Sequence, residues 1–119
     1  MRALVVDDSR GMRMILRHLL TEIGCETAEA AGGAEGLQRL QELGRPDVVL
    51  VDWHMPDMDG LTFVRAVRAT ASCEGVRLVI VTAEEDQAYA AAARQAGADA
   101  FLAKPPSREA LAASLPRPA

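Results

Sequence analysis

The chain has 119 residues, half of them apolar and a quarter charged, with a formal net charge of −4. That length allows one compact domain, residues 1–119, with a single core, and the acidic balance argues against direct binding of nucleic acid. No apolar run is long enough to cross a bilayer and the N-terminus carries no secretory signal, so no membrane partner and a cytoplasmic location are expected.

In chain order, the first element is a strand. Ala3-Leu4-Val5-Val6 is short, rich in β-branched residues and lacks polar alternation, the pattern of a strand buried on both faces. Met12, Ile15, Leu16, Leu19, Leu20 and Ile23 then mark the inner face of an amphipathic helix, with Ser9 as its N-cap and Gly24 as its stop. Cys25 to Ala30 alternates, which suits a strand at or near a sheet edge. Leu37, Leu40 and Leu43 mark a second helix, ended by Gly44-Arg45-Pro46. Val48-Val49-Leu50-Val51 is a third strand, followed by a helix marked by Leu61, Val64 and Val67.

Leu78-Val79-Ile80-Val81 reads as a fourth strand. The alanine-rich stretch from Gln87 to Ala96 reads as a helix, with Asp86 as cap and Gly97 as stop. Ala100-Phe101-Leu102-Ala103 is a weaker fifth strand, and Ser107 opens a short last helix that Pro116 ends. Five β-α units in succession predict a doubly wound α/β sandwich with five parallel strands and five helices. Cys25 and Cys73 have no CxxC spacing and no neighbouring histidine cluster, and read as reduced, partly buried thiols.

The chemistry lies at the end of each apolar run. The first strand ends in Asp7-Asp8, the third in Asp52, the fourth in Thr82 and the fifth in Lys104. Open parallel sheets bind ligands at the carboxyl ends of their strands, near the point where strand order reverses. Three carboxylates, a hydroxyl and an ammonium therefore meet at one edge. Two carboxylates about 4 Å apart repel by about 4 kcal/mol at an effective dielectric of 20, so the group needs a cation or Lys104 to offset it. Oxygen ligands in small number suit Mg²⁺, and a hydroxyl beside an ammonium suits phosphoryl oxygens.

Asp7-Asp8, the run Val51-Asp52-Trp53-His54-Met55-Pro56-Asp57-Met58-Asp59-Gly60, Thr82-Ala83 and Lys104-Pro105 together resemble the response-regulator receiver domains, most closely their chemotaxis (CheY-like) branch. The resemblance covers nearly the whole chain. It implies the flavodoxin-like strand order 2-1-3-4-5. It also implies that Asp52 is the nucleophile that takes a phosphoryl group from a histidine kinase, with Lys104 and Thr82 on the phosphoryl oxygens. Mg²⁺ would be held by Asp8, Asp52 and the backbone carbonyl of His54, with Asp7 acting mainly through a water on the ion. Thr82 and Phe101 fall at the switch positions, which remodel the face formed by the fourth helix, fifth strand and fifth helix for a downstream protein partner. His54 and Glu84, two residues past Asp52 and Thr82, fall where the family tunes hydrolysis of the acyl phosphate. The Lys104–Pro105 peptide is cis in the family. Pro106 departs from its pattern, which usually has a bulky apolar residue there.

Taken singly, these residues have blander readings. Asp7-Asp8 could merely cap a helix, Phe101 could be core, and an isolated His54 is a poor candidate as a metal-binding side chain. A haloacid-dehalogenase-type phosphatase would need a second Asp where this chain has His54. A flavodoxin-like flavin carrier would need a Ser/Thr/Gly-rich loop where it has Asp7-Asp8. Within the receiver reading, the chain is a signalling switch that catalyses its own phosphorylation and dephosphorylation. It is read as a stand-alone regulator, with a receiver cut from a protein with a DNA-binding or enzymatic output domain, or a phosphorelay intermediate, as the alternatives.

Overall fold

The computed structural model describes residues 1–83 and 88–116. Five strands form one parallel sheet in the order β2-β1-β3-β4-β5. They are β1 (Arg2–Val6), β2 (Glu26–Ala30), β3 (Val48–Val51), β4 (Arg77–Thr82) and β5 (Ala100–Ala103). The alternating segment is thus an edge strand, as its pattern requires, and β5 is the other edge.

The unbroken apolar runs are explained by two cores, one on each face of the sheet. Ala3, Val5, Val48, Leu50, Val79 and Val81 point to one face, where they meet Leu16, Leu20, Leu111 and Leu115. Leu4, Val6, Val49, Val51, Leu78 and Ile80 point to the other, where they meet Leu40, Phe63, Val64, Val67 and Ala93. Successive strand residues face opposite ways, so a strand covered on both sides has no position left for a polar residue.

Helices α1 (Arg10–Ile23) and α5 (Arg108–Ser114) cover the first face, and α2 (Gly33–Leu43), α3 (Gly60–Arg68) and α4 (Ala90–Ala96) cover the second. Ser9 and Ser107 cap α1 and α5, accepting from the backbone N–H groups of Met12 at 3.2 Å and Ala110 at 3.0 Å. Gly24 ends α1 at φ 107° and Gly97 ends α4 at φ 121°, left-handed values that favour glycine. The periodic face of α1 is narrower than its sequence predicts. Leu16 and Leu20, one turn apart, are fully buried, whereas Ile15 is 45% exposed. The helix is rotated so that Ile15 falls beside the buried stripe rather than in it. Leu43, in the last turn of α2, is likewise exposed. In α4 the α-helix begins at Ala90, preceded by Tyr89 without a side-chain cap, while the expected cap Asp86 and start Gln87 lie outside the described residues. Both cysteines are free and buried.

One cap comes from a distant part of the chain. Gly32 precedes α2 and offers no side chain. The carboxylate of Asp57, in the loop between β3 and α3, instead accepts from Gly33 N–H at 3.1 Å and Ala34 N–H at 2.8 Å. Asp59 caps its own helix α3, accepting from Thr62 N–H at 2.8 Å. The Ala34 and Thr62 N–H groups are the main reasons the pKa values of Asp57 and Asp59 lie below the ordinary 3.8. A depressed carboxylate contributes stability that is complete above its unfolded pKa and is lost as pH falls through the folded one. Asp57→Ala should therefore cost about 1 kcal/mol at neutral pH. Its deficit against wild type in urea unfolding should shrink once pH drops below 3.8; a deficit independent of pH would assign the loss to packing instead.

Candidate functional site

Strand register brings the polar residues together. Val6 pairs with Val51, Val51 with Ile80, and Thr82 with Ala103. The residues just beyond these pairs stay in register: Asp52 N–H donates to Val6 O at 3.0 Å, and Lys104 N–H to Thr82 O at 2.8 Å. Asp7, Asp8, Asp52, Thr82 and Lys104 thus stand along the carboxyl edge beside the β1–β3 boundary, where strand order reverses.

Asp7, Asp52 and Thr82 are nearly inaccessible, while Asp8 is exposed at the rim. One carboxylate oxygen from each of the three aspartates lies within 4.8 Å of the other two. The Lys104 ammonium sits between two of them, 2.8 Å from Asp7 Oδ2 and 3.0 Å from Asp52 Oδ2. The other oxygen of Asp52 accepts from the Thr82 hydroxyl at 2.9 Å. Asp7 Oδ1 accepts from Ser9 N–H at 2.8 Å. Asp7 and Asp8 are not the caps of α1, since Ser9 has that role.

Burial pushes the Asp7 carboxyl above its ordinary 3.8, outweighing the Lys104 contact and the Ser9 N–H that oppose it. For Lys104, burial alone would lower the pKa, but hydrogen bonds and charge from Asp7 and Asp52 prevail and hold it above 10.5. The ammonium is therefore a permanent positive charge in the site. Asp7 Oδ2 is buried, and the Lys104 ammonium at 2.8 Å is the partner shown for it. Three carboxylate oxygens grouped within 4.8 Å of one another, against a single ammonium, form a donor set that fits a hard divalent cation.

The wall of the site is aromatic. Trp53 is buried and stacks on Tyr89 at 5.4 Å between ring centroids, with planes 14° apart. It also meets Phe101 at 6.1 Å, tilted by 60°. Phe101 is buried within this group. The exposed His54 ring meets Tyr89 edge-on at 6.4 Å. The Lys104–Pro105 peptide is cis and Pro106 is buried. Glu84 lies outside the described residues. The stack involving Tyr89 had no signal in the sequence beyond the presence of the rings.

Gly60 shows why this loop needs a glycine. Its N–H donates to Trp53 O at 2.7 Å. A Cβ there would stand 2.8 Å from Asp52 O and 3.0 Å from Trp53 Cα, both backbone atoms that cannot swing aside. Gly60→Ala should force α3 away from the end of β3 and cost about 1–3 kcal/mol. Urea unfolding measures this, and an unchanged midpoint would mean that the loop yields freely.

An open, doubly wound parallel sheet with an acidic, lysine-bridged cluster at its switch point defines a flavodoxin-like α/β protein. The chain belongs to the response regulator receiver domain family, whose profile matches residues 3–116. It is 35% identical over 106 residues to the chemotaxis protein CheY1 of Helicobacter pylori, covering 88% of this chain and 86% of that protein. It is 38% identical to the CheY homolog of Campylobacter jejuni, again covering 88% of this chain and 82% of the relative. The crystal structure of Vibrio cholerae chemotaxis protein CheY4 superposes with a TM-score of 0.86 at 34% identity, covering 95% of this chain and 93% of that one. The protein is thus a CheY-like receiver of two-component signalling. Among the described residues, no helix is long and apolar enough to cross a membrane.

Proposed function

We propose that this receiver is switched by phosphorylation of Asp52, in a Mg²⁺-dependent reaction that draws on the phosphohistidine of a histidine kinase. The observation that carries this reading is the setting of Asp52. It is a buried carboxylate with one oxygen on the Thr82 hydroxyl and the other on the Lys104 ammonium, beside two further aspartates. Asp8 and Asp52, with the His54 backbone carbonyl, would hold the ion, and Asp7 would stand beside it. Bound there, Mg²⁺ would neutralise carboxylate charge and draw in the donor's phosphoryl oxygens.

The steps assigned to the chain's own residues are few. An Asp52 oxygen attacks phosphorus and forms a P–O bond as the P–N bond to the donor imidazole breaks. The imidazole keeps the electron pair and takes up a proton. Lys104 and Thr82, already at the Asp52 oxygens, turn to the phosphoryl oxygens and stabilise the charge that gathers on them in the transition state. Thr82 thereby leaves its 2.9 Å contact with Asp52. Phe101, next to Trp53 on the same wall, follows that movement and biases the face made by α4, β5 and α5 toward the form that binds a downstream protein. His54 and Glu84 are assigned to the lifetime of the acyl phosphate.

The test uses acetyl phosphate as donor, with and without Mg²⁺, followed by Trp53 fluorescence and intact mass. Wild type should gain one phosphoryl group only with Mg²⁺, and Asp52→Ala none. Phosphorylation of the Asp52→Ala protein, or of wild type in EDTA, would overturn the reading.

A further inference from the structure

Arg13 has one unusual acceptor. It lies one turn into α1, and its side chain curls back so that one terminal nitrogen donates to the backbone carbonyl of Asp7 at 2.8 Å. That carbonyl belongs to the peptide joining Asp7 to Asp8. Arg13 Nε donates to Glu29 on β2 at 2.9 Å. Glu29 is gripped from its other oxygen by Arg17, which also donates to Thr27 Oγ1 at 3.0 Å. The Arg13 side chain is only 12% exposed, whereas Arg17 is 41% exposed.

From this geometry we infer that Arg13 is a positioning residue for the cation: anchored by Glu29, it fixes the Asp7–Asp8 peptide and so sets where the Asp8 carboxylate points. The inference rests on the proposed Mg²⁺ role of that carboxylate. Three contacts hold the loop. Asp7 N–H is tied to Ala30 O at 3.1 Å, Asp7 Oδ1 takes the Ser9 N–H, and Asp7 O takes Arg13. The first two restrain Asp7 and the start of α1. The third restrains the peptide plane that leads into Asp8, whose exposed side chain has little packing to orient it.

A guanidinium beside a cation site is otherwise unfavourable, and Glu29 explains how it is tolerated. Its carboxylate cancels the Arg13 charge while holding the fork in place. Its pKa is depressed, first by the Arg13 hydrogen bond and further by Arg17, so the cancelling charge is present throughout the neutral range. Orientation is then the net contribution of Arg13 to the site. Mg²⁺ is the ion most sensitive to it, since it demands near-ideal octahedral angles. Loss of a group that orients a ligand typically costs tenfold to a hundredfold in metal affinity.

The experiment is calorimetric titration with Mg²⁺ alone, on wild type, Arg13→Met and Glu29→Gln, with thermal unfolding in EDTA alongside. The expected result is a dissociation constant raised about tenfold in Arg13→Met and less in Glu29→Gln. At saturating Mg²⁺ the extent of phosphorylation by acetyl phosphate should match wild type. A residue that only supports the fold would shift the unfolding temperature and leave the Mg²⁺ affinity alone. Wild-type or tighter affinity in both variants would overturn the inference while leaving the proposed function intact. If Arg13→Met does not fold, Glu29→Gln decides alone by the same criterion. A wild type that binds no Mg²⁺ would overturn the proposed function and this inference with it, and is recognised by appearing before any substitution.

Discussion

Replacing Lys104 with methionine is expected to destabilise the Mg²⁺-free protein by about 3–5 kcal/mol, the usual cost of removing one partner from a buried ion pair. Methionine keeps an unbranched apolar stem of similar length and removes the ammonium with its contacts to both carboxylates. Asp7 and Asp52, 1% and 6% exposed, would then face each other with no cation between them. The loss should depend on pH with a defined sign. The Asp7 pKa is already raised by burial, and losing Lys104 removes the largest influence that lowers it. A carboxyl whose folded pKa is raised holds more protons folded than unfolded, so stability falls as pH rises through the interval above 3.8. The variant should therefore be closest to wild type in acid and furthest from it near neutrality. Urea unfolding across that range is the measurement. Adding Mg²⁺ should recover much of the deficit, because it restores positive charge at the same place. Phosphorylation by acetyl phosphate should slow by roughly a hundredfold, as for loss of a transition-state charge contact. A variant as stable as wild type at neutral pH would mean that the two carboxylates are compensated without Lys104.

Mg²⁺ itself should stabilise the wild type, and Asp8→Ala should abolish the effect. A ligand present at about a hundred times its dissociation constant adds about 2.7 kcal/mol to the folded state. Asp8 is exposed and lies at the rim of the site, so its removal should change Mg²⁺-free stability by no more than about 0.5 kcal/mol. The two effects therefore separate. Thermal unfolding with and without Mg²⁺ should show a large upward shift in wild type and almost none in the variant. A shift that survives in Asp8→Ala would place the ion elsewhere on the molecule.

Most of the architecture was legible because it is written in local patterns. A short, β-branched apolar run such as Val48 to Val51, set off by Pro46, reads as a strand covered on both sides, and both of its faces are indeed core. The caps at Ser9 and Ser107 reach three residues along the chain, a distance that sequence order alone defines. The polar residues of the site were legible because each ends or follows a strand, and parallel strands bring their carboxyl ends to one edge. Asp7, Asp8, Asp52, Thr82 and Lys104 meet there for that reason.

The features that only the tertiary structure decided depend on how elements dock. Sequence periodicity placed Ile15 in the buried face of α1, but the helix's rotation against the sheet leaves it exposed. Asp57 caps a helix that precedes it by two elements, which no local spacing announces. Trp53 could be read as a neighbour of Asp52, but not as stacked on Tyr89. Arg13 and Glu29 belong to no sequence motif, and meet only because the fold lays α1 against β2 and turns the guanidinium back onto Asp7. Backbone hydrogen bonding and two-sided burial act along the chain, and the order of residues is enough to reveal them. Side-chain contacts between distant elements depend on packing angles and register, which exist only once the chain has folded.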